Sequence, residues 1–292
     1  MCFSRLPECR AKAVIAAHRT LYYWGAQGPD VFYFYKYMKR GKKDLVELAR
    51  SMHKQPPNIL FVAFERYILT LSEGERDAAT AYLLGFITHY FLDSATHPFI
   101  AYLVTAELTK GSRQSVSKIH VALEQRIGAM YYRALGKPGF KVGKAYAVRG
   151  GDLRLLDGLW RKVMQELYDY ELPKNALRNC MKNNRFVGKL LFRRKFIIRS
   201  YLRTVARFKN RKTDADYPYK AYKTAVILNE ERAPWPHIDG SVSAASVHDL
   251  FLAAASDACV LFSETLTALG QGTPLETSFE SGFNRGFEQF QK

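Results

Sequence analysis

Apolar residues dominate Ala78 to Leu92 so fully that no polar stripe remains, the pattern of a helix buried on every side. Its strongly polar groups come together at the end, as His89, Asp93 and His97. On a helix of about 3.6 residues per turn a step of four drifts by only about 40°, so the three side chains share one face. Pro98 disfavours helical geometry at the residue before it, which predicts that His97 swings out at the helix end. A buried carboxylate between two imidazoles needs a counter-charge. The triplet therefore fits either a pair of bridged metal ions or a hydrogen-bonded core cluster.

Helical periodicity also covers residues 11–24, with His18 near the middle, and Asp44 to His53, where Pro56-Pro57 stops it. Further helices are expected over Asn58–Leu71, Val116–Leu135, Leu153–Leu172, Ala176–Leu191, Phe192–Phe208 and Val247–Leu269. After Ile100 the chain is expected to stay helical to about Leu108. Ser72-Glu73-Gly74-Glu75 is an N-terminal signal for the buried helix. Gly25-Ala26-Gln27-Gly28-Pro29-Asp30 permits only a sharp turn and presents Asp30 from it. These elements predict an all-α protein, a multi-helix bundle forming one domain over 1–292. A metal-site half at 1–135 is joined through a glycine-rich loop at 136–151 to a C-terminal helical half at 152–292.

Composition sharpens this picture in two places. At 292 residues with 48% hydrophobic and 14% aromatic content, the chain can bury a sizeable core, which excludes a disordered protein. The strongest apolar stretch is interrupted by His89 and Asp93 before it reaches the ~18–20 residues a bilayer requires. No membrane span is expected, and the start of the chain lacks a basic-then-apolar leader, so a cytoplasmic location is expected. The four cysteines, Cys2, Cys9, Cys180 and Cys259, form no CxxC pair and are too sparse for a disulfide framework. The net charge of +17 is concentrated: from Lys182 to Lys212 there are 12 Lys or Arg and no Asp or Glu. Such a segment suits a charge-laced helix on the core, a peripheral contact with an anionic membrane surface or, less well, nucleic acid.

Five of the seven histidines precede residue 121, and His120 and Glu124 repeat the four-residue spacing on another helix. His53, His89, Asp93, His97, His120 and Glu124 make six ligands, enough for two zinc ions with open positions left for water and substrate. Structural zinc would instead be closed by four ligands, usually with cysteine among them.

Four ordered blocks carry a resemblance: Gly25-Ala26-Gln27-Gly28-Pro29-Asp30, Ser51-Met52-His53-Lys54, Gly85-Phe86-x-x-His89-Tyr90-x-Leu92-Asp93-x-x-x-His97-Pro98-Phe99-Ile100, and His120-x-x-x-Glu124. Over Trp24 to Glu124 the chain resembles the zinc-dependent phospholipase C family, related to the S1/P1 nucleases, with weaker support at Trp235-Pro236-His237-Ile238-Asp239-Gly240. The resemblance implies an all-α bundle of the phospholipase C / P1 nuclease type with metals at the bottom of a cleft. It implies that His53, His89 and Asp93 hold one zinc and His97, His120 and Glu124 a second. Asp30 would be the general base or water-orienting carboxylate.

In the family a third zinc uses the N-terminal amine and a histidine close behind it. This chain begins Met1-Cys2-Phe3, and His18, the only histidine before Asp30, is the sole candidate for that position. Two zinc ions are therefore expected and a third is left open. The activity implied is hydrolysis of a phosphodiester, with phospholipid as the leading substrate. A nuclease-type use of the same metals on single-stranded nucleic acid, or a non-catalytic metal-stabilised protein, are the alternatives.

Overall fold

Helices account for nearly all the regular structure in the computed structural model, which describes residues 9–36, 44–109, 111, 114–134, 142–193, 224–276, 279, 282, 283, 285 and 286. In chain order these are α1 Arg10–Ala17, α2 Arg19–Gly25, a 3-10 turn Gly28–Phe34, α3 Asp44–Met52, α4 Asn58–Leu69, α5 Glu73–Thr109, α6 Val116–Ala134, α7 Val142–Ala145, α8 Gly150–Tyr168, α9 Ala176–Arg193, α10 Thr224–Leu228 and α11 Val247–Gln271. Among the described residues the strands amount to one short antiparallel pair, Trp235–Pro236 against Val242–Ser243. The protein has an all-α, multi-helix fold. The expected helix over 192–208 beyond Arg193, the rest of the basic segment to 212, the loop residues 136–141 and the Met1-Cys2-Phe3 start lie outside the described residues.

Helix α5, 37 residues long, is the axis of the fold and packs against α2, α4, α6 and α11. Its first half enters a core with Trp24, Phe32, Phe64 and Trp160. Its second half, from Phe99 to Val104, enters a separate cluster with Ile119, Leu123 and Trp235. His89, Asp93 and His97 fall between the two cores, where Phe91 to Ala95 are half-buried. The expectation that His97 leaves the helix is corrected: α5 continues past Pro98, and His97 stays within it. Proline removes one amide donor and opposes helix at its neighbour. Here Phe99, Ile100, Leu103 and Val104 are all buried, so tertiary packing on both sides of the proline overrides the local preference.

The helix expected over 11–24 is instead two, broken at His18, whose backbone (φ −120, ψ 39) is outside the helical region. The second of these crosses α5 at unusually close range. A Cβ on Gly25 would stand 1.9 Å from the Tyr82 carbonyl oxygen, and one on Gly85 2.1 Å from that of Tyr22. Only glycine at both places lets the two backbones touch. That contact sets the following turn, and Asp30 with it, beside the polar face of α5.

One described helix, α11, is long and apolar enough to cross a membrane. In the fold it lies along α5, burying Ala254, Ala258, Leu261 and Phe262 and exposing Ser256, Asp257, Ser263 and Glu264.

Candidate metal centre

Two sets of side chains converge between the cores. Asp30, His53 and His89 form the first, and His97, His120 and Glu124 the second; within each, one potential ligand atom per residue lies within 4.8 Å of the others. Asp93 stands between them, its Oδ2 3.3 Å from His89 Nε2 and 3.9 Å from His97 Nε2. The carboxylate expected to join His53 and His89 therefore faces both groups, and Asp30 enters the first. His18 belongs to neither group; it is half-buried at the break between α1 and α2.

Each element contributes for a local reason. The turn carries Asp30 to His53, with Oδ1 3.1 Å from Nε2. Gly28 makes that turn possible at φ +52, and a Cβ there would meet the His89 ring at 2.0 Å. Asn183 Nδ2 of α9 donates to the Phe34 carbonyl, and Asn184 Nδ2 to Gln27 Oε1, fastening the turn from behind. His53 follows the last residue of α3, and its Nδ1 donates to the Ala49 carbonyl at 2.7 Å. Tyr33 stacks on it with ring centroids 5.6 Å apart. On α6 the four-residue spacing brings His120 Nε2 to 2.7 Å from Glu124 Oε1, which also lies 3.1 Å from His97 Nε2.

The donor chemistry calls for a cation. A carbonyl oxygen only accepts, so a neutral His53 carries its proton on Nδ1 and points the Nε2 lone pair at the Asp30 carboxylate. His97 repeats the arrangement, with Nδ1 bonded to the Phe283 carbonyl and Nε2 facing Glu124. Lone pairs of nitrogen and oxygen that face each other need a proton or a metal ion between them. His89 makes the same point differently. Its Nε2 is buried and makes no hydrogen bond, with Asp93 Oδ2 3.3 Å away, and a buried polar atom left so is rare in a native fold.

Titration follows the same logic. Partial burial opposes charge on Asp30, but the hydrogen bond and charge of His53 outweigh it and hold the carboxyl below its usual range. Burial likewise opposes charge on His53, and the Asp30 partner reverses this and raises it. His89, buried and without such a bond, is lowered to about 4 and is neutral at physiological pH, the state a ligand needs. Glu124 is held well below the ordinary range despite burial, through hydrogen bonds from His120 and His97. Asp93 is pushed well above its usual value by burial, reinforced by the charges of Asp30 and Glu124. Three carboxylates crowd this space. Divalent cations in the two groups would supply the charge that lets Asp93 ionise too.

Sequence spacing on α5 and α6 marked most of these residues. It gave no sign of Tyr33 over His53 or of the Phe283 carbonyl, because stacking and backbone acceptors leave no trace in residue type.

A family model described as zinc dependent phospholipase C matches residues 2–184, a span that contains the turn, both groups and Asp93. No curated protein and no solved structure shows a significant match to the chain. The match covers more than half of the 292 residues, and the residues it spans assemble two ligand groups suited to divalent metal. The chain belongs to the zinc-dependent phospholipase C family.

Proposed function

We propose that this protein is a zinc-dependent hydrolase of phospholipase C type that cleaves a phosphodiester, with a phospholipid as substrate. The observation that carries the reading is the convergence of two ligand groups on one shared carboxylate, Asp93, which spans 3.3 Å to one group and 3.9 Å to the other. Zinc would be held by His53 and His89 on one side and by His97, His120 and Glu124 on the other, with Asp93 facing both. Bound there it would supply Lewis-acid polarisation of the phosphoryl oxygens and make water more acidic.

The protein's own groups divide the remaining work by exposure. Asp93, with its side chain only 16% exposed, is a structural carboxylate inside the site. Asp30 is 44% exposed and opens to the surface beside His53. It is ionised at neutral pH and is positioned to orient the attacking water and take its proton. Asp30 in turn raises the proton affinity of His53, and the Ala49 carbonyl fixes its tautomer. Substrate delivery draws on the basic residues from Lys182 onward, where each Lys or Arg near an anionic lipid surface contributes about 1 kcal/mol. Of that segment, Lys182 and Phe186 on α9 are exposed, on the helix that fastens the Asp30 turn.

The test is turnover by zinc-loaded protein on phospholipid vesicles and on bis-p-nitrophenyl phosphate. Release of diacylglycerol, together with loss of activity on chelation, is the expected result. No hydrolysis of either substrate by protein of verified zinc content would overturn the proposal.

A further inference from the structure

The matched family segment stops at residue 184, yet part of the metal surroundings comes from the far end of the chain. After α11 the left-handed Gly272 (φ 78) turns the backbone, and Leu275 N–H donates to the buried carboxyl of Glu65 at 2.6 Å. Phe279 then sets its ring edge-on against Phe61 and Tyr90. At Gly282 the strap lies directly on the residues around His53. A Cβ there would stand 2.9 Å from both the His53 and Gln55 carbonyl oxygens. Next comes Phe283, wholly buried, its ring centroid 5.4 Å from that of His53 and 5.6 Å from that of His89. Its carbonyl takes the hydrogen bond from His97 Nδ1, 186 residues away in sequence.

That bond is the long-range counterpart of the one His53 makes to Ala49 in its own helix. Both fix the proton on Nδ1 and direct Nε2 inward. A ligating histidine held in this way gains basicity and a fixed ring orientation, and losing such an outer partner typically lowers metal affinity by about 10–100-fold. We infer that Leu275, Phe279, Gly282 and Phe283 are a working part of the metal centre, with the Phe283 carbonyl as the positioning group that holds His97 ready for a metal in the His97, His120 and Glu124 group. The inference rests on the reading that these residues bind zinc. It does not depend on which phosphodiester is cleaved, so a chain that binds two zinc ions but hydrolyses nothing would remove the hydrolase reading and leave this one intact.

Two variants of the full chain test it by zinc affinity, measured by chelator competition, and zinc content, measured by elemental analysis. Replacing Asn284 by its α-hydroxy acid turns the Phe283 carbonyl into an ester carbonyl, a weaker acceptor, with every side chain up to residue 283 unchanged. The expected outcome is about a two- to tenfold weaker affinity for one of the two zinc ions and an unchanged affinity for the other. A chain ending at Gly282 loses the carbonyl and also the Phe283 ring against His53 and His89, so it should weaken the His97 site about 10–100-fold and the other site as well, while one ending at Gly286 matches the full chain. Unchanged affinity at both sites in the ester variant overturns the proposal, whatever the truncated chain does. Equal weakening at both sites in the ester variant overturns it as well, because the Phe283 carbonyl would then support only the general packing.

Discussion

The two ligand groups present the same atoms to a metal but are built from different distances along the chain. In the first, His53 takes its outer acceptor from Ala49, four residues earlier, and Asp30 arrives on a turn fixed by the contact between α2 and α5. In the second, His97 depends on the Phe283 carbonyl, 186 residues away, while His120 on α6 is more open than His53, with side chains 19% and 4% exposed. The outer acceptor is thus local for His53 and long-range for His97. Asp93 ties them into one centre.

The change expected to do most damage removes that tie. Asp93→Asn keeps the shape and takes away the shared charge, so zinc content should fall at both groups and hydrolysis should drop to background. Loss of a single zinc per chain would show that the aspartate serves one group alone. Asp30→Asn comes next, with kcat lowered by about 10²–10⁴-fold and both zinc ions retained, the signature of a lost proton acceptor. If elemental analysis instead finds one ion missing, Asp30 is a ligand of group one rather than a base. Gly28→Ala should act on group one only. A left-handed backbone carrying a side chain costs about 1–3 kcal/mol, and the added methyl would press on His89, so the zinc held by His53 and His89 should weaken while the other keeps its affinity.

How far the sequence could reveal this division follows from the same contrast of distances. The His89, Asp93 and His97 spacing and the His120 and Glu124 pair were legible because four residues on a helix always share a face. The buried start of α5 was legible because its apolar residues leave no polar stripe. Contacts set by folding were not. Pro98 looked like a helix end because the local rule says so, and only the buried residues on either side of it reverse that. His18 was the candidate for a third ion by its place in the chain, and it lies at the break between α1 and α2, outside both groups. The Phe283 carbonyl could not be found at all, since every residue carries one.

The mildest prediction concerns the anchor of the strap rather than the site. Glu65 is only 1% exposed and borders a cavity of about 10 Å³ together with Asn58, Thr265 and Leu275. Burial pushes its carboxyl up to about 7, against bonds from Leu275 and Thr265 that favour the ionised form. With the folded value above the ordinary 4.5, the folded state holds the proton more tightly. This contribution to stability is therefore complete below about pH 4.5 and is lost as pH rises toward 7. Glu65→Gln imitates the protonated form and should not lose it. The unfolding free energies of the two proteins should lie close together at pH 5 and separate by pH 8, with the variant ahead by on the order of 3 kcal/mol. Taking the difference at each pH cancels the dependence that zinc binding brings to both. Since Gln still offers an oxygen to Leu275 N–H, zinc affinity in group two should not move. A variant that melts below the parent at pH 8 would mean that the ionised carboxylate, held by the amide of Leu275, is what pins the strap.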